Sequence, residues 1–114
     1  MTVAKPGDIW VVDLGMAAKV RPCLVLSQPP RDDELSVVTV VAHTTALRGN
    51  RWEVPVPKPF LRQEGAFDVQ RVATVASIKL ERKLGELTRS EFERVLAPLA
   101  ERLGFTKPSA LSPQ

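Results

Sequence analysis

The chain has 114 residues and a mass of 12.6 kDa, which is enough for one ordinary domain and too little for two. Apolar residues make up 44% and charged residues 25%, the balance of a soluble globular protein, and no apolar run approaches the roughly 18 residues that a membrane-spanning helix needs. One cysteine and one histidine exclude an internal disulfide and a zinc-ligand cluster. The net charge of +3 permits a polyanionic partner without requiring one.

The first two-thirds of the chain is predicted to form short strands. Val and Thr are frequent there, and their branched side chains suit a pleated surface better than a helix. Pro55 places its own segment at a sheet edge or a bulge, and Cys23 lies in an apolar segment that makes it a core residue rather than a nucleophile. The predicted strands are 9–12, 23–26, 36–44, 52–56, 65–69 and 72–75, with 78–80 as a candidate continuation of the last.

The last third is predicted to form one helix. Thr88 and Glu91 have the spacing of a capping box, in which each side chain accepts a hydrogen bond from the other residue's backbone N–H. Gly104 is expected to end the helix as its C′ residue, and Pro98 is expected to kink the helix because it removes one backbone hydrogen bond. The apolar stripe of this helix is Phe92, Val95, Leu96, Leu99 and Leu103.

Short strands followed by a terminal helix predict a mainly β (α+β) fold, in which a small, partly closed barrel carries the helix on one side. We expect one domain over residues 1–105 and a flexible C-terminal tail over 106–114, where prolines and serines leave little to bury. Residues 1–8 contain one lysine and no apolar stretch, so we expect no secretory signal and a cytoplasmic protein without a membrane segment.

Two groups of polar residues stand at the ends of predicted strands. Arg21 precedes Pro22 at the entrance to an apolar strand, and the proline favours an extended backbone for Arg21. His43, Thr44 and Thr45 stand at the exit of the Val-rich strand, where two hydroxyls and an imidazole make a plausible polar pocket. On spacing alone, a surface arginine and ordinary strand threonines are the simpler interpretation.

Six segments follow one another in a specific order. They are GDIWVVDL (7–14), KVRPCLVLS (19–27), TVVAHTT (39–45), RWEVPV (51–56), GAFDVQ (65–70) and KLGEL (83–87). In this order they resemble the MazF/PemK family of toxins, and the resemblance spans about residues 6–103. The combination of the first two segments is its most specific part.

The resemblance implies an SH3-like barrel with a C-terminal helix, working as a homodimer. It implies metal-independent and cofactor-free cleavage of single-stranded RNA, mRNA included, at short sequences. In that reaction the ribose 2′-OH attacks the adjacent phosphate and leaves a 2′,3′-cyclic phosphate and a 5′-OH. It also implies a cognate, MazE-like antitoxin, whose acidic, disordered C-terminal segment suits a basic groove.

The same resemblance places the family's catalytic arginine on Arg21, which precedes the same proline. It places the catalytic threonine on Thr45, with Thr44 one position away as the alternative. Arginine suits this chemistry because its planar fork holds two phosphate oxygens and offsets the charge that grows in the transition state. Its high pKa makes it a poor proton acceptor, so we expect Arg21 to stabilise charge rather than abstract a proton.

Further residues are candidates for RNA binding. Trp52 would stack on an unpaired base, although a tryptophan in an alternating strand is more often a core residue. Gln70 either shapes a base-reading pocket or supports the barrel. His43 stands where the family usually has a small or apolar residue; it can carry protons near neutral pH but is more simply a structural histidine. The full set is His43, Lys19, Trp52, Gln70, Arg48 and Arg51.

The chain departs from the family pattern at two places. The connection 15–20 is shorter than usual and lacks the common acidic residue before the arginine, and Arg71-Val72 reverses the usual order of an apolar residue and an arginine. Two other functions stay open: a CcdB-like toxin of the same fold that poisons DNA gyrase, and a catalytically inert member that only binds its antitoxin. Gyrase poisoning would need an apolar C-terminal anchor, and residues 109–114 show no convincing one.

Overall fold

The computed structural model of the protein describes residues 3–15 and 19–107. Six strands form one antiparallel sheet in the order β4-β5-β3-β2-β1-β6. The elements are β1 (Asp8–Asp13), β2 (Val20–Val25), β3 (Val37–Thr44), β4 (Glu53–Val54), β5 (Ala66–Ala76), a 3-10 helix (Ser77–Lys79), β6 (Leu80–Glu86) and α1 (Arg89–Arg102). In the described part of the chain β4 and β6 are the sheet edges, so the sheet is not closed. The predicted mainly β fold with a C-terminal helix is confirmed.

The strands differ from the sequence prediction in the second half of the sheet. The predicted strands 65–69 and 72–75 are parts of one strand, β5, and the segment after it is a 3-10 helix rather than a continuation. The sequence does not predict β6, because most residues of this edge strand are half-buried or exposed and lack a clear alternation. The predicted strand 52–56 is reduced to two residues at the sheet edge, as its proline requires.

Apolar side chains divide into two clusters, one on each face of the sheet. The helix-side cluster packs against α1 and contains Ile9, Leu24, Val41, Val56, Leu61, Phe67, Val69, Leu87, Phe92, Val95 and Leu99. The far-side cluster contains Trp10, Val12, Cys23, Val25, Val38, Val40 and Ala42. Cys23 is fully buried as predicted, and burial raises the pKa of its thiol to about 12. The thiol therefore stays protonated at neutral pH and is a core group.

Both ends of α1 are capped as the sequence predicts. The Thr88 hydroxyl accepts the N–H of Glu91 at 3.2 Å, and the Glu91 carboxylate accepts the N–H of Thr88 at 2.8 Å. Gly104 has φ of +82°, and its N–H donates to the Glu101 carbonyl at 3.1 Å. A glycine adopts this left-handed geometry without the strain that a side chain would cause.

The buried stripe of α1 consists of Phe92, Val95 and Leu99. Leu103 was expected to extend it, but this residue is the C-cap and is 52% exposed, because the helix has already ended. The helix continues through Pro98. No helix within residues 3–15 and 19–107 is long and apolar enough to cross a membrane.

We expect the capping box at Thr88 and Glu91 to contribute measurably to the free energy of unfolding. Thr88→Ala removes an acceptor for one of the first helical N–H groups, so we expect the free energy of unfolding to fall by about 1 kcal/mol. Urea unfolding followed by circular dichroism measures this value. Thr106→Ala makes the same chemical change beyond the helix and should leave the midpoint in place; equal midpoints for the two variants would contradict the prediction.

Contacts of residues 7–14 and 83–87, the first and last of the six segments, stabilise the packing of β1 against β6. Asp8 is 1% exposed, its Oδ1 lies 3.3 Å from Nζ of Lys83, and its Oδ2 accepts the Nε1–H of Trp10 at 3.5 Å. A Cβ on Gly85 would lie 2.6 Å from the Phe60 ring, so only glycine lets that ring pack on β6. The contacts of Asp8 and Gly85 in these two segments therefore stabilise the fold.

Candidate active site

Arg21 lies on β2 next to the end of β3. The β1–β2 register pairs it with Val12, and the β2–β3 register pairs Cys23 with Ala42. Continuing the second register by two residues brings Arg21 level with Thr44, on strands that are about 4.8 Å apart. Because side chains alternate along a strand, Arg21 and Cys23 share the far-side face of the sheet.

The last residues of β3 do not form the predicted polar pocket. His43 and Thr44 are 4% and 1% exposed, and as neighbours on a strand they point to opposite faces. The Thr44 Oγ1 accepts the N–H of Ala46 at 3.1 Å and so fixes the turn that follows the strand. Thr45, the first residue after β3, is exposed. The prediction that His43, Thr44 and Thr45 share one polar pocket is therefore wrong. Of the two threonines, Thr45 is the exposed one.

His43 is packed among core groups. Its ring meets the Phe67 ring edge-on, with centroids 5.0 Å apart and an interplanar angle of 76°. On another side it lies so close to Gly65 that a Cβ there would overlap the imidazole. Burial lowers the pKa of His43, and the Glu64 carboxylate opposes part of this shift. A role for His43 in RNA binding stays a prediction that its burial does not favour.

The depressed pKa of His43 predicts a pH-dependent stability. In the unfolded chain His43 binds a proton near pH 6.5, whereas in the folded protein it stays neutral at that pH. The contribution of His43 to stability is therefore fully present above about pH 6.5 and falls as the pH drops below that value. Thermal unfolding between about pH 7.5 and pH 5.5 should show the fall, and His43→Gln should flatten it. An equally steep fall in His43→Gln would assign the effect to other groups.

Glu53 organises the loop between β3 and β4. Its carboxylate accepts the backbone N–H groups of Arg48 at 2.8 Å, Gly49 at 2.7 Å and Asn50 at 3.1 Å. These hydrogen bonds lower the pKa of Glu53, and the one from the Arg48 N–H has the largest effect. Asn50 also donates from Nδ2 to Oε1 of Gln70 at 3.3 Å. The loop after Thr45 is thereby tied to β5, and it brings two predicted RNA-binding residues, Arg48 and Gln70, to one exposed surface.

Trp52 lies at the border of the helix-side cluster. The Arg51 guanidinium is 4.2 Å from the ring centroid, and the Arg102 guanidinium is 5.9 Å from it. Such cation–π contacts contribute about 0.5–1 kcal/mol at exposed sites. The ring is already engaged by the core and by these two arginines, so stacking of Trp52 on a base stays a prediction.

The β1–β2 connection is described only at its two ends. The Lys19 N–H donates to the Gly15 carbonyl at 2.9 Å, and the Leu14 N–H donates to the Lys19 carbonyl at 2.8 Å. Lys19 is exposed and has φ of +56°, which residues with a side chain rarely adopt. Residues 16–18 lie outside the described residues, and so does the predicted effect of the shortened loop on access to the site.

A pocket of about 210 Å³ brings Arg21 together with Arg71. The other residues lining it are Leu14, Ala42, Val72, Ala73 and Val75. A larger cleft of about 470 Å³ opens around Trp10, Val38 and Leu80, and its lining includes none of the predicted site residues. The smaller pocket is therefore the candidate active site; of the predicted site residues Arg21 lines it, and Thr45 does not.

A family comparison identifies the class of protein to which the chain belongs. The model of the PemK-like, MazF-like toxin of type II toxin–antitoxin systems matches residues 5–103. The chain belongs to this family. The match covers every described strand and the helix, and it includes both Arg21 and the end of β3.

Solved structures of MazF-type proteins share the fold. A mycobacterial endoribonuclease in complex with its cognate antitoxin is 26% identical, with a TM-score of 0.75, covering 92% of this chain and 99% of that one. The Mycobacterium tuberculosis toxin MazF-mt6 is 27% identical, with a TM-score of 0.71, over 85% and 96%. A MazE–MazF structure from Deinococcus radiodurans, 19% identical with a TM-score of 0.74 over 91% and 98%, shows the fold alone. A comparison with curated proteins gave no significant match.

The resemblance to the PemK/MazF family predicts Arg21 and Thr45 as site residues, but it assigns no role to Arg71 or Asp68. Asp68 is 6% exposed; its Oδ2 lies 3.3 Å from Nε of Arg71, and its Oδ1 accepts the N–H of Gln70 at 2.9 Å. Strand alternation could have indicated Arg71, because residues 71, 73 and 75 of one strand point to the same face, and Ala73 and Val75 line the pocket.

Proposed function

We propose that this chain is the toxin of a type II toxin–antitoxin system and that it cleaves single-stranded RNA, mRNA included, as a sequence-specific endoribonuclease without a metal ion or cofactor. The observation that carries the proposal is the position of Arg21 beside the end of β3, where Thr45 is exposed. The fold supports it, since the 26% identical mycobacterial structure is an endoribonuclease.

The proposed reaction is an internal transesterification. The ribose 2′-oxygen attacks the phosphorus and loses its proton, and the bond from phosphorus to the 5′-oxygen breaks while that oxygen takes up a proton. The products are a 2′,3′-cyclic phosphate and a 5′-OH end. Arg21 holds the non-bridging oxygens and offsets their growing charge, and the Thr45 hydroxyl donates to the phosphate or fixes the attacking group.

Two features favour Thr45 over Thr44 as the catalytic threonine. Thr45 is exposed, whereas Thr44 is 1% exposed and its hydroxyl is engaged by the N–H of Ala46. A catalytic group must reach the substrate, and a buried hydroxyl that supports a turn does not.

A pair of variants separates the two threonines. We expect Thr45→Ala to slow RNA cleavage by about 10²–10³-fold, the usual effect of losing one transition-state donor, with little change in stability. Thr44→Val should keep cleavage and lower the free energy of unfolding by about 1 kcal/mol, because the N–H of Ala46 loses its acceptor. Cleavage rates and urea midpoints measure both effects. The opposite pattern would make Thr44 the catalytic residue.

We also infer a homodimer and a MazE-like antitoxin with an acidic, disordered segment, both acting in the cytoplasm where mRNA is found. Lys19, Arg48, Arg51 and Arg71 are exposed, and such exposed cations would attract an acidic segment. The mycobacterial structure at 26% identity was solved with its cognate antitoxin. Sedimentation should give a mass near twice 12.6 kDa, and a monomer at micromolar concentration would contradict the dimer.

The function is tested by incubating the protein with a mixed pool of single-stranded RNA in the presence of EDTA. The proposal predicts discrete cuts at one short sequence. An intact pool together with inhibition of DNA gyrase supercoiling would favour the CcdB-like function, and an intact pool with gyrase unaffected would favour the inert member.

A further inference from the structure

The pocket at Arg21 contains a second arginine, Arg71. Arg21 and Arg71 both line this space of about 210 Å³, and the other described residues around it are apolar. Two cations that share a pocket with apolar walls repel each other more strongly than they would in open water. The Asp68 carboxylate contacts Arg71 only through Nε, and an anion bound between the two guanidinium groups would offset their repulsion further.

The backbone of β5 explains how Arg71 reaches this pocket. Val41 on β3 pairs with Val72, and His43 pairs with Phe67. One residue on β3 is therefore opposed by four residues on β5, namely 68–71, and the strand bulges there. Such bulges redirect side chains, and Arg71 emerges from this one toward the far-side face.

Asp68 orients the Arg71 guanidinium. The carboxylate side chain is 9% exposed, and it contacts Nε of Arg71 at 3.3 Å, while the Arg71 side chain is 42% exposed. The same carboxylate is fixed by the N–H of Gln70. The contact is made through Nε, so the Nη1–Nη2 edge of the planar fork is not used by it. That edge has the geometry to hold two oxygens of one phosphate.

We propose that Arg71 is a second phosphate-binding catalytic residue, which holds the scissile phosphate of RNA together with Arg21. The proposal rests on the proposed endoribonuclease function. It assigns Asp68 as the positioning residue for Arg71. The next residue, Val72, also lines this pocket and packs against the helix-side cluster.

The test uses RNA that carries a single phosphorothioate, as each separate diastereomer, at the mapped cleavage position. Arg71→Ala should slow single-turnover cleavage of all-oxygen RNA by about 10²-fold. In the wild type, one diastereomer should be cut more slowly than all-oxygen RNA, and in Arg71→Ala this difference should shrink toward unity. Arg71→Lys should recover part of the rate, because the charge returns without the fork. A purely structural Arg71 would not change the sulfur effect.

Arg82→Ala is the matched control, since it removes the same charge from an exposed position on β6, at the opposite edge of the sheet from β4 and β5. It should keep both the rate and the sulfur effect of the wild type. An Arg71→Ala protein with the wild-type rate, or with the wild-type sulfur effect, overturns the proposal.

A binding measurement separates this inference from the proposed function. An oligonucleotide with a 2′-deoxyribose at the cleavage position, or a pyrimidine-rich DNA if no RNA is cut, reports phosphate binding without cleavage. Arg71→Ala should reduce the slope of log affinity against log salt by about 0.7, the value for one phosphate contact on a single strand. If the wild type cuts no RNA but the slope still falls in Arg71→Ala, the endoribonuclease function and the catalytic role of Arg71 fail, and only its phosphate binding stands. If the slope is unchanged, the Arg71 site fails.

Discussion

Replacing Arg21 by alanine should lower RNA cleavage by about 10²–10³-fold while the protein stays folded. Arg21 is half-buried on β2 and lines the candidate site, so its removal takes away charge stabilisation of the phosphate in the transition state. The variant should stay folded, because Arg21 belongs to neither of the two buried apolar clusters. Single-turnover rates and thermal unfolding, measured on the same preparations, give both quantities.

Two companion variants sharpen this prediction. Arg21→Lys keeps the charge but not the planar fork, and it should recover only a small part of the rate. Arg82→Ala removes one positive charge elsewhere and should cleave as the wild type does. If Arg21→Ala cut RNA at the wild-type rate, the active site would have to lie outside this pocket.

Gly65→Ala should have the largest effect on stability among single-methyl changes near the site. Gly65 is buried; a Cβ there would overlap the His43 ring and would lie 2.9 Å from the Thr44 carbonyl oxygen. A backbone carbonyl in a paired strand moves little, so we expect a loss of about 1–3 kcal/mol in the free energy of unfolding. Cleavage should fall as well, because any shift of Thr44 displaces the adjacent Thr45.

A double-mutant cycle identifies the cause of that loss. His43→Ala removes the ring that the new methyl group would strike, so the double variant should lose less stability than the sum of the two single variants. Relief should be partial, since the contact with the Thr44 carbonyl remains. Strictly additive losses would show that the imidazole is not what Gly65 accommodates.

Local signals predicted the parts of the fold that local interactions determine. The capping box at Thr88, the C-terminal Gly104 and the buried Cys23 each depend on neighbours in sequence or on apolar runs, and each is confirmed. Edge strand β6 was missed because its residues pair on one side only and alternate weakly. The single strand β5 was divided in two by the charged and polar residues of its bulge, at Gln70 and Arg71.

The candidate site depends on long-range register, which one sequence does not specify. Family resemblance places Arg21 and Thr45 at strand ends, and the β2–β3 register brings those ends together when it is continued beyond Cys23 and Ala42. Exposure then favours Thr45 over Thr44 in the proposed site, a choice that the sequence leaves open. Arg71 shares the parity of Ala73 and Val75 on β5, but its meeting with Arg21 depends on the pairing of β5 with β3, which spacing along the chain does not specify.

The most direct test of the endoribonuclease assignment is the chemical identity of the ends that the protein leaves. A synthetic single-stranded RNA containing the mapped cleavage sequence is incubated with the protein in EDTA, and the fragments are weighed by mass spectrometry. The expected fragments carry a 2′,3′-cyclic phosphate and a 5′-OH, and one 2′-deoxyribose at the cleavage position should abolish the cut. Fragments with a 3′-OH and a 5′-phosphate, or cleavage that survives the 2′-deoxy substitution, would contradict attack by the 2′-OH.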